Sequence, residues 1–415
     1  MNTTPPKSQP RLRLRVSSAA ERALRSRHPW LFADSIRDQN REGSPGEIAV
    51  VYDHGNQFLA AGLYDPDSPL RVRVLQVGKP AVINADWFRG RLQTATQVRS
   101  NLFGPETTGW RWINGESDGW PGLVLDRYGS TLVLKLYTLG WLPWLETLLP
   151  LILEELQPER LVLRLSRNIQ EPARRLFART DGGILHGPPL DSAVLFQENG
   201  LTFEAQVLQG QKTGFFLDQR ENRRKVGDLA RGRAVLNAFS FSGGFSLYAA
   251  RGGAKRAVDL DISAHALAAA NRNFAHNQSD ASVAACHHET AQGDSFEWLE
   301  GGSGGEFGLV ILDPPSLAKR EAERAGALQA YQRLVQLAIR RLAPGGDLLA
   351  CSCSAHVGSD EFFSAVQSAA RPARRPFEVI ACTAHAPDHP ATIPEAQYLK
   401  AIHLRFAQPP DIIRR

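Results

Sequence analysis

The chain has 415 residues, 43% of them hydrophobic and 22% charged, with a formal net charge of +5. This is the make-up of a globular protein of two or three domains, and it excludes disordered, collagenous and disulfide-scaffold classes. No apolar run reaches the roughly 18 residues of a membrane span, Met1 to Pro6 lack the apolar stretch of a signal peptide, and the four cysteines lack paired zinc spacing, so a reducing, cytoplasmic location is expected.

Residues 10–82 read as a small β-rich domain. Arg11-Leu12-Arg13-Leu14-Arg15-Val16 alternates strictly, which puts arginines on one face of a strand and apolar residues on the other. A short basic helix is expected from Ser18 to Arg27, then strands over 46–52 and 58–64 around the turn Asp53-His54-Gly55-Asn56, and a last strand over 70–77. Arg11, Arg13, Arg15, Arg27, Arg71 and Arg73 form a candidate phosphate-neutralising set for RNA. A solvated basic face is the simpler reading of such a run.

Residues 83–193 read as a central α+β domain. Trp87 to Leu102 and Trp141 to Leu156 carry amphipathic helix patterns; Leu123 to Leu125 and Leu132 to Leu136 form a hairpin around Asp126-Arg127-Tyr128-Gly129, and Leu161 to Leu165 a strand. Trp110, Trp112, Trp120, Trp141 and Trp144 read as core or interface mass rather than base-stacking platforms. No catalytic constellation is visible here.

Residues 194–415 read as an α/β domain. Strands alternate with helices, which implies a mainly parallel sheet with ligands at the carboxyl ends of its strands. Its centre is Ala234-Val235-Leu236-Asn237-Ala238-Phe239-Ser240-Phe241-Ser242-Gly243-Gly244-Phe245, followed by Ala257-Val258-Asp259-Leu260-Asp261. A strand enters a Ser/Gly corner, a helix follows, and the next strand ends in an acid able to accept both hydroxyls of a ribose. Neither Gly-x-Gly-x-x-Gly nor a phosphate-binding Lys-Ser/Thr occurs, so the corner suits a nucleoside without phosphates, S-adenosylmethionine being the common one. Asn237, Phe239, Ser240, Gly243 and Asp261 are the candidate cofactor contacts. Asp294, after a weak third strand, suits either the adenine amine or a helix cap.

Two more strand ends carry reactive groups. Asp313-Pro314-Pro315 follows Leu309 to Leu312, and its prolines forbid helix and present the acid to the same crevice. The strand over 348–352 continues into Cys353-Ser354, and Cys353 lies nearer the crevice while Cys351 is the deeper, core-like thiol. Beside a methyl donor this pairing suits methylation of cytosine carbon 5. The Cys353 thiolate adds at carbon 6 and Asp313 relieves the charge at ring nitrogen 3. No residue presents itself as the base for the last proton. Cys286-His287-His288 lacks a fourth ligand, and no metal is expected.

On these motifs, together with Arg27-His28-Pro29-Trp30, Gly115-Glu116-Ser117-Asp118-Gly119, Lys212-Thr213-Gly214, Leu217-Asp218-Gln219-Arg220, Ser352-Cys353-Ser354 and Asp388-His389-Pro390, the chain resembles the bacterial ribosomal RNA large subunit methyltransferase I family over nearly its whole length. The resemblance implies a PUA RNA-binding domain, a central α+β domain and a class I, Rossmann-like methyltransferase domain. It also implies 5-methylcytosine formation in 23S RNA, Cys353 as nucleophile, and a cofactor pocket that includes Phe216, Asp218, Gln219, Arg220 and Asp313. Ser316 and Ala355 depart from the lysine and glycine common in relatives. An RNA guanine-N7 or other base-nitrogen methyltransferase with Cys353 in the core is the alternative, and a non-catalytic rRNA-binding or assembly factor is a third. Free RNA and assembly intermediates stay open as substrates, as does a homodimer.

Overall fold

The computed structural model describes residues 10–302 and 305–408. Met1 to Pro6, read above for a signal peptide, and residues 409–415 of the third segment lie outside the described residues. The chain packs into two compact units. One takes the chain up to Gly104, Gly109–Val194 and Ala205–Phe215; the other takes Pro105–Thr108, Leu195–Glu204 and the chain from Phe216 onward. Among the described residues no helix is long and apolar enough to cross a membrane.

The first unit holds two sheets. Six strands run in the order Trp30–Phe32, Leu70–Val77, Phe58–Tyr64, Ile48–Tyr52, Leu12–Val16 and Ile36–Gln39. The alternation in Leu12–Val16 is realised as read, with Leu12, Leu14 and Val16 buried and Arg13 and Arg15 exposed. The Ser17 hydroxyl caps helix Ser18–Arg25, which stops two residues short of the expected end; Arg27 has turned to a left-handed φ of 64°.

The other sheet orders Gly183–His186, Arg160–Leu165, Thr131–Leu136, Leu123–Tyr128 and Gly109–Asn114. Trp120 and Trp141 are core residues, 2% and 0% exposed. The helix expected from Trp141 begins instead at Leu145 after a 3-10 turn over Leu139–Trp144 that contains Pro143. Pro143 precedes the helix, where its missing N–H costs nothing, while Pro150 lies inside it. Two of the resemblance motifs are joined here, because Glu116 Oε1 accepts from the Trp30 indole (2.8 Å) and from Arg73 (3.1 Å). Lys212-Thr213-Gly214 belongs to this unit as well: the Thr213 hydroxyl donates to Asp126 and lies 2.8 Å from the Tyr128 hydroxyl.

The second unit is built on seven strands: β1 (Ala234–Ala238), β2 (Arg256–Asp261), β3 (His287–Gln292), β4 (Phe307–Leu312), β5 (Leu342–Ser352), β6 (Phe377–Thr383) and β7 (Lys400–Phe406). Their order is β3-β2-β1-β4-β5-β7-β6; the first five are parallel, and β7 runs antiparallel between β5 and β6. The central strands are largely apolar and buried along most of their length, as a sheet covered on both faces requires. Helices Arg324–Arg341 and Ser359–Ala370 pack Leu334, Val335, Phe362 and Val366 into this core. Pro344-Gly345-Gly346, a helix-ending sequence just after the first of them, bulges out of β5. Phe307 pairs with Leu342 and Leu309 with Asp347, so the bulge is the extra length between those pairs.

Candidate active site

β1 ends at Ala238, and the backbone then takes left-handed conformations at Phe239 (φ 60°), Phe241 (φ 49°) and Gly243 (φ 73°). A non-glycine residue held there costs about 1–2 kcal/mol, and such strain gathers at binding sites. A Cβ on Gly243 would lie 2.6 Å from Asp259 Oδ2, so only glycine fits. Asp259 is wholly buried under the corner and accepts from Asn237 Nδ2 (2.8 Å), the Ser246 hydroxyl (2.5 Å) and His288 Nε2 (2.9 Å). Asn237, expected as a cofactor contact, is fully buried; its Nδ2 braces the corner from below, and its Oδ1 has no hydrogen-bond partner among the described residues. His288 stacks on Phe274 with ring centroids 3.6 Å apart, while His287 turns to Glu289, so the two histidines diverge. Among the described residues no cluster of three or more metal-ligating side chains occurs.

Above the corner, Asp261 ends β2 half-exposed. Its Oδ2 accepts from Phe241 N (2.9 Å) and its Oδ1 from Ser263 N (2.8 Å), which leaves each oxygen a further lone pair for a ribose hydroxyl. The Ser240 hydroxyl is buried with no hydrogen-bond partner among the described residues. Phe216 meets Phe241 edge-on at 5.0 Å, an apolar wall for an adenosine face. Asp294 takes the cap role: its Oδ1 accepts from Phe296 N and Glu297 N at the start of helix Ser295–Glu300. A tight glycine cradle, an orphaned hydroxyl and an acid with spare lone pairs fit S-adenosylmethionine.

The carboxyl ends of β4 and β5 are neighbours, and they bring Asp313 and Cys353 together. Strand alternation explains which side chain faces where. Ser352 and Ser354 are fully buried: the Tyr331 phenol lies 2.9 and 3.3 Å from their hydroxyls, and the Ser354 hydroxyl lies 3.0 Å from that of Ser316. Cys353, between them, faces the other way, half-buried, its Sγ 3.8 Å from the Pro314 carbonyl. Ser316, one of the two departures, thus ties the Asp-Pro-Pro loop to the Ser-Cys-Ser turn. Cys351 is buried, and burial pushes its thiol well up, which leaves it neutral and inert.

The segment after Phe216 supports this crevice rather than simply lining it. Gln219 Nε2 donates to Asp313 Oδ1 (2.9 Å); Gln219 Oε1 accepts from Asn222, whose Oδ1 accepts from Thr383 (2.7 Å). Asp218 is buried and accepts from the Tyr398 phenol (2.8 Å). Arg220 is buried in a two-pronged pair with Asp388 (2.9 and 3.2 Å) and lies 3.6 Å from Glu198, which Arg223 also grips. Burial opposes the Arg220 charge, but Asp388 and Glu198 more than offset it and raise its pKa. For Asp388, burial is likewise outweighed by His389 and Arg220, which hold it well below the usual carboxylate range. Asn222, Thr383, Tyr398 and Lys400 escaped the sequence reading, since polar residues far apart in the chain give no periodic signal. Phe241 did have one, its place inside the corner.

The candidate RNA arginines divide. Arg11, Arg13, Arg15 and Arg27 are exposed, and Arg13 lies over the Tyr52 ring and shares Asn56 with Arg15. Arg73 is a correction: its side chain is only 11% exposed and is held by Glu116, a structural pair. Arg71 is half-buried, donating to the Pro66 carbonyl beside the Tyr64 ring.

Comparison with known proteins agrees with this geometry. Residues 173–405 match the S-adenosylmethionine-dependent methyltransferase family, and residues 14–76 a PUA-like domain. A ribosomal RNA large subunit methyltransferase of Deinococcus radiodurans is 56% identical over 97% of this chain and all of its own length. The ribosomal RNA large subunit methyltransferase I of Shewanella denitrificans is 35% identical over 95% of this chain and 99% of its own. A Streptococcus mutans S-adenosylmethionine-dependent methyltransferase shares the fold, with a TM-score of 0.78 at 20% identity over 95% of this chain and all of that one. A methyltransferase solved with S-adenosylhomocysteine also shares it, at 0.79 and 21% with the same coverage. The chain belongs to the S-adenosylmethionine-dependent methyltransferase family and, within it, to the ribosomal RNA large subunit methyltransferase I group, with an N-terminal PUA-like domain.

Proposed function

We propose that this protein forms 5-methylcytosine in 23S ribosomal RNA, with Cys353 as nucleophile and Asp313 as the group that answers charge on the ring. One observation carries the reading: a half-buried thiol stands 3.8 Å from the Asp-Pro-Pro loop at adjoining strand ends, while its sister Cys351 is sealed in the core. Asp261, Ser240, Phe216 and the Gly243 corner would hold S-adenosylmethionine, which would supply the electrophilic methyl group and become S-adenosylhomocysteine.

The Cys353 thiolate forms the Sγ–C6 bond, and the electron pair displaced from the C5–C6 double bond makes carbon 5 nucleophilic. Asp313 stabilises the charge that reaches the N3 edge. Gln219 Nε2 donates to its Oδ1 and orients the carboxyl group. After carbon 5 is methylated its proton goes to water, the ring double bond re-forms, and the Sγ–C6 bond breaks to return the thiolate. The target base must leave any stack to reach Cys353. The exposed arginines of the PUA-like domain supply sequence-independent affinity for the RNA backbone.

Incubation with 23S fragments carrying 5-fluorocytosine tests this, because fluorine at carbon 5 blocks the last step and traps the Sγ–C6 bond. A covalent adduct is expected, and Cys353→Ala abolishes it. Persistent methyl transfer by Cys353→Ala would favour the guanine or other base-nitrogen reading, and no transfer by the parent protein an assembly role.

A further inference from the structure

Lys400 is buried 1% exposed at the start of β7, directly opposite Ser352 in the antiparallel register with β5. Its ammonium donates to the carbonyls of Ser354, Val357 and Tyr398. An ammonium has three N–H donors, and all three are used. None remains for the Cys353 sulfur, so Lys400 can neither donate to it nor take its proton directly.

Its charge is another matter. A buried cation without a carboxylate against it is costly unless it answers a negative charge close by. Glu361, on helix Ser359–Ala370, is already gripped by Arg324. Burial pulls the Lys400 pKa down to about 8, while Cys353 and Glu361 pull it up. Asp313 carries no positive charge, and Tyr331 and Cys351 are held neutral by burial. His356, next on the turn, lies toward Glu321.

We infer that Lys400 is the positioning residue for Cys353, clamping the turn through the Ser354 and Val357 carbonyls and stabilising the Cys353 thiolate by its charge. The thiol proton goes to solvent, and the anion left behind is the species that adds to the ring. This inference rests on the reading of Cys353 as nucleophile. It adds a cation held on the backbone of the Ser-Cys-Ser turn.

The test uses the full chain, alkylating with iodoacetamide across pH and reading Cys353 and Cys382 separately by peptide mass spectrometry. Cys382 is exposed and serves as internal reference. An opposite charge at close range moves a pKa by about 1–3 units, so Lys400→Met should raise the Cys353 midpoint by about one unit or more and leave Cys382 unmoved. Lys400→Arg, which keeps the charge, should stay within a few tenths of the parent. An unmoved Cys353 midpoint in folded Lys400→Met overturns the inference. If Lys400→Met does not fold, the parent alone decides: Cys353 must alkylate at lower pH than Cys382, whose thiol burial raises, and the reverse order also overturns it. A missing fluorocytosine adduct in the parent would sink the nucleophile reading instead, whatever the alkylation midpoints.

Discussion

Arg220→Met separates two roles that one residue could hold. Its guanidinium is 1% exposed, grips both oxygens of the fully buried Asp388 and approaches Glu198 at 3.6 Å. Truncation leaves Glu198 with Arg223, but takes the two-pronged guanidinium from Asp388, which keeps His389 at 3.1 Å. Breaking a buried pair from one side costs about 3–5 kcal/mol. For a unit of this size 1 kcal/mol moves the melting point by about 2–4 °C, so scanning calorimetry should show the methyltransferase unit melting about 10 °C lower. Arg220→Met with Asp388→Leu should recover part of that loss, because it removes the stranded charge. The pH dependence has a definite sign. Asp388 is held far below its ordinary pKa of about 3.9 by folding, so its contribution is fully present above that value and drains away as pH falls further toward its folded pKa. Acid unfolding should therefore be shallower in the double variant. The reasoning is refuted if Arg220→Met melts with the parent while affinity for S-adenosylhomocysteine, titrated calorimetrically at 15 °C, drops tenfold, since the guanidinium would then serve the cofactor directly.

Other outcomes follow from the same geometry. Cys353→Ala should lower methyl transfer by at least about 1,000-fold with the melting point nearly unchanged, because the thiol is small and half-buried. Gln219→Leu removes the donor on Asp313 Oδ1; kcat should fall about tenfold with KM for S-adenosylmethionine nearly constant in steady-state assays, whereas a rise in KM alone would make Gln219 a cofactor contact. Gly243→Ala meets both a left-handed φ and the Asp259 carboxylate, so titration with S-adenosylhomocysteine should show at least tenfold weaker binding, about 1.4 kcal/mol. In filter binding to 23S fragments, Arg13→Gln with Arg15→Gln should flatten the salt dependence by about one unit of slope per contact. Arg73→Gln should instead lower the melting point of the first unit and leave that slope alone, as befits a pair sealed against Glu116.

Local pattern carried far in this chain. The period-two alternation of Leu12–Val16 told its buried face, and the apolar runs of β1, β4 and β5 told a doubly covered parallel sheet, because strand geometry ties burial to spacing without reference to the rest of the fold. The glycine corner, the acid ending β2 and the Asp-Pro-Pro loop were legible for the same reason, each being a short-range backbone requirement. Sequence position along one strand even ranked Cys353 above Cys351 as the accessible thiol, and their burial agrees.

The partners of buried charges were a different matter. Alternation cannot say that Asn237 and His288 both turn to Asp259, that Gln219 reaches Asp313, or that Arg73 pairs with Glu116 instead of facing solvent. The bulge at Pro344-Gly345-Gly346 was equally hidden, because a strand can absorb extra residues only against a neighbour whose register is already set. What the sequence determined by itself was which backbone stretches form strands, turns and the donor corner, since those follow from dihedral preference and spacing. Only the tertiary structure decided which charge meets which, because Arg220 and Asp388 lie 168 positions apart in the chain and pair only once the fold brings them together.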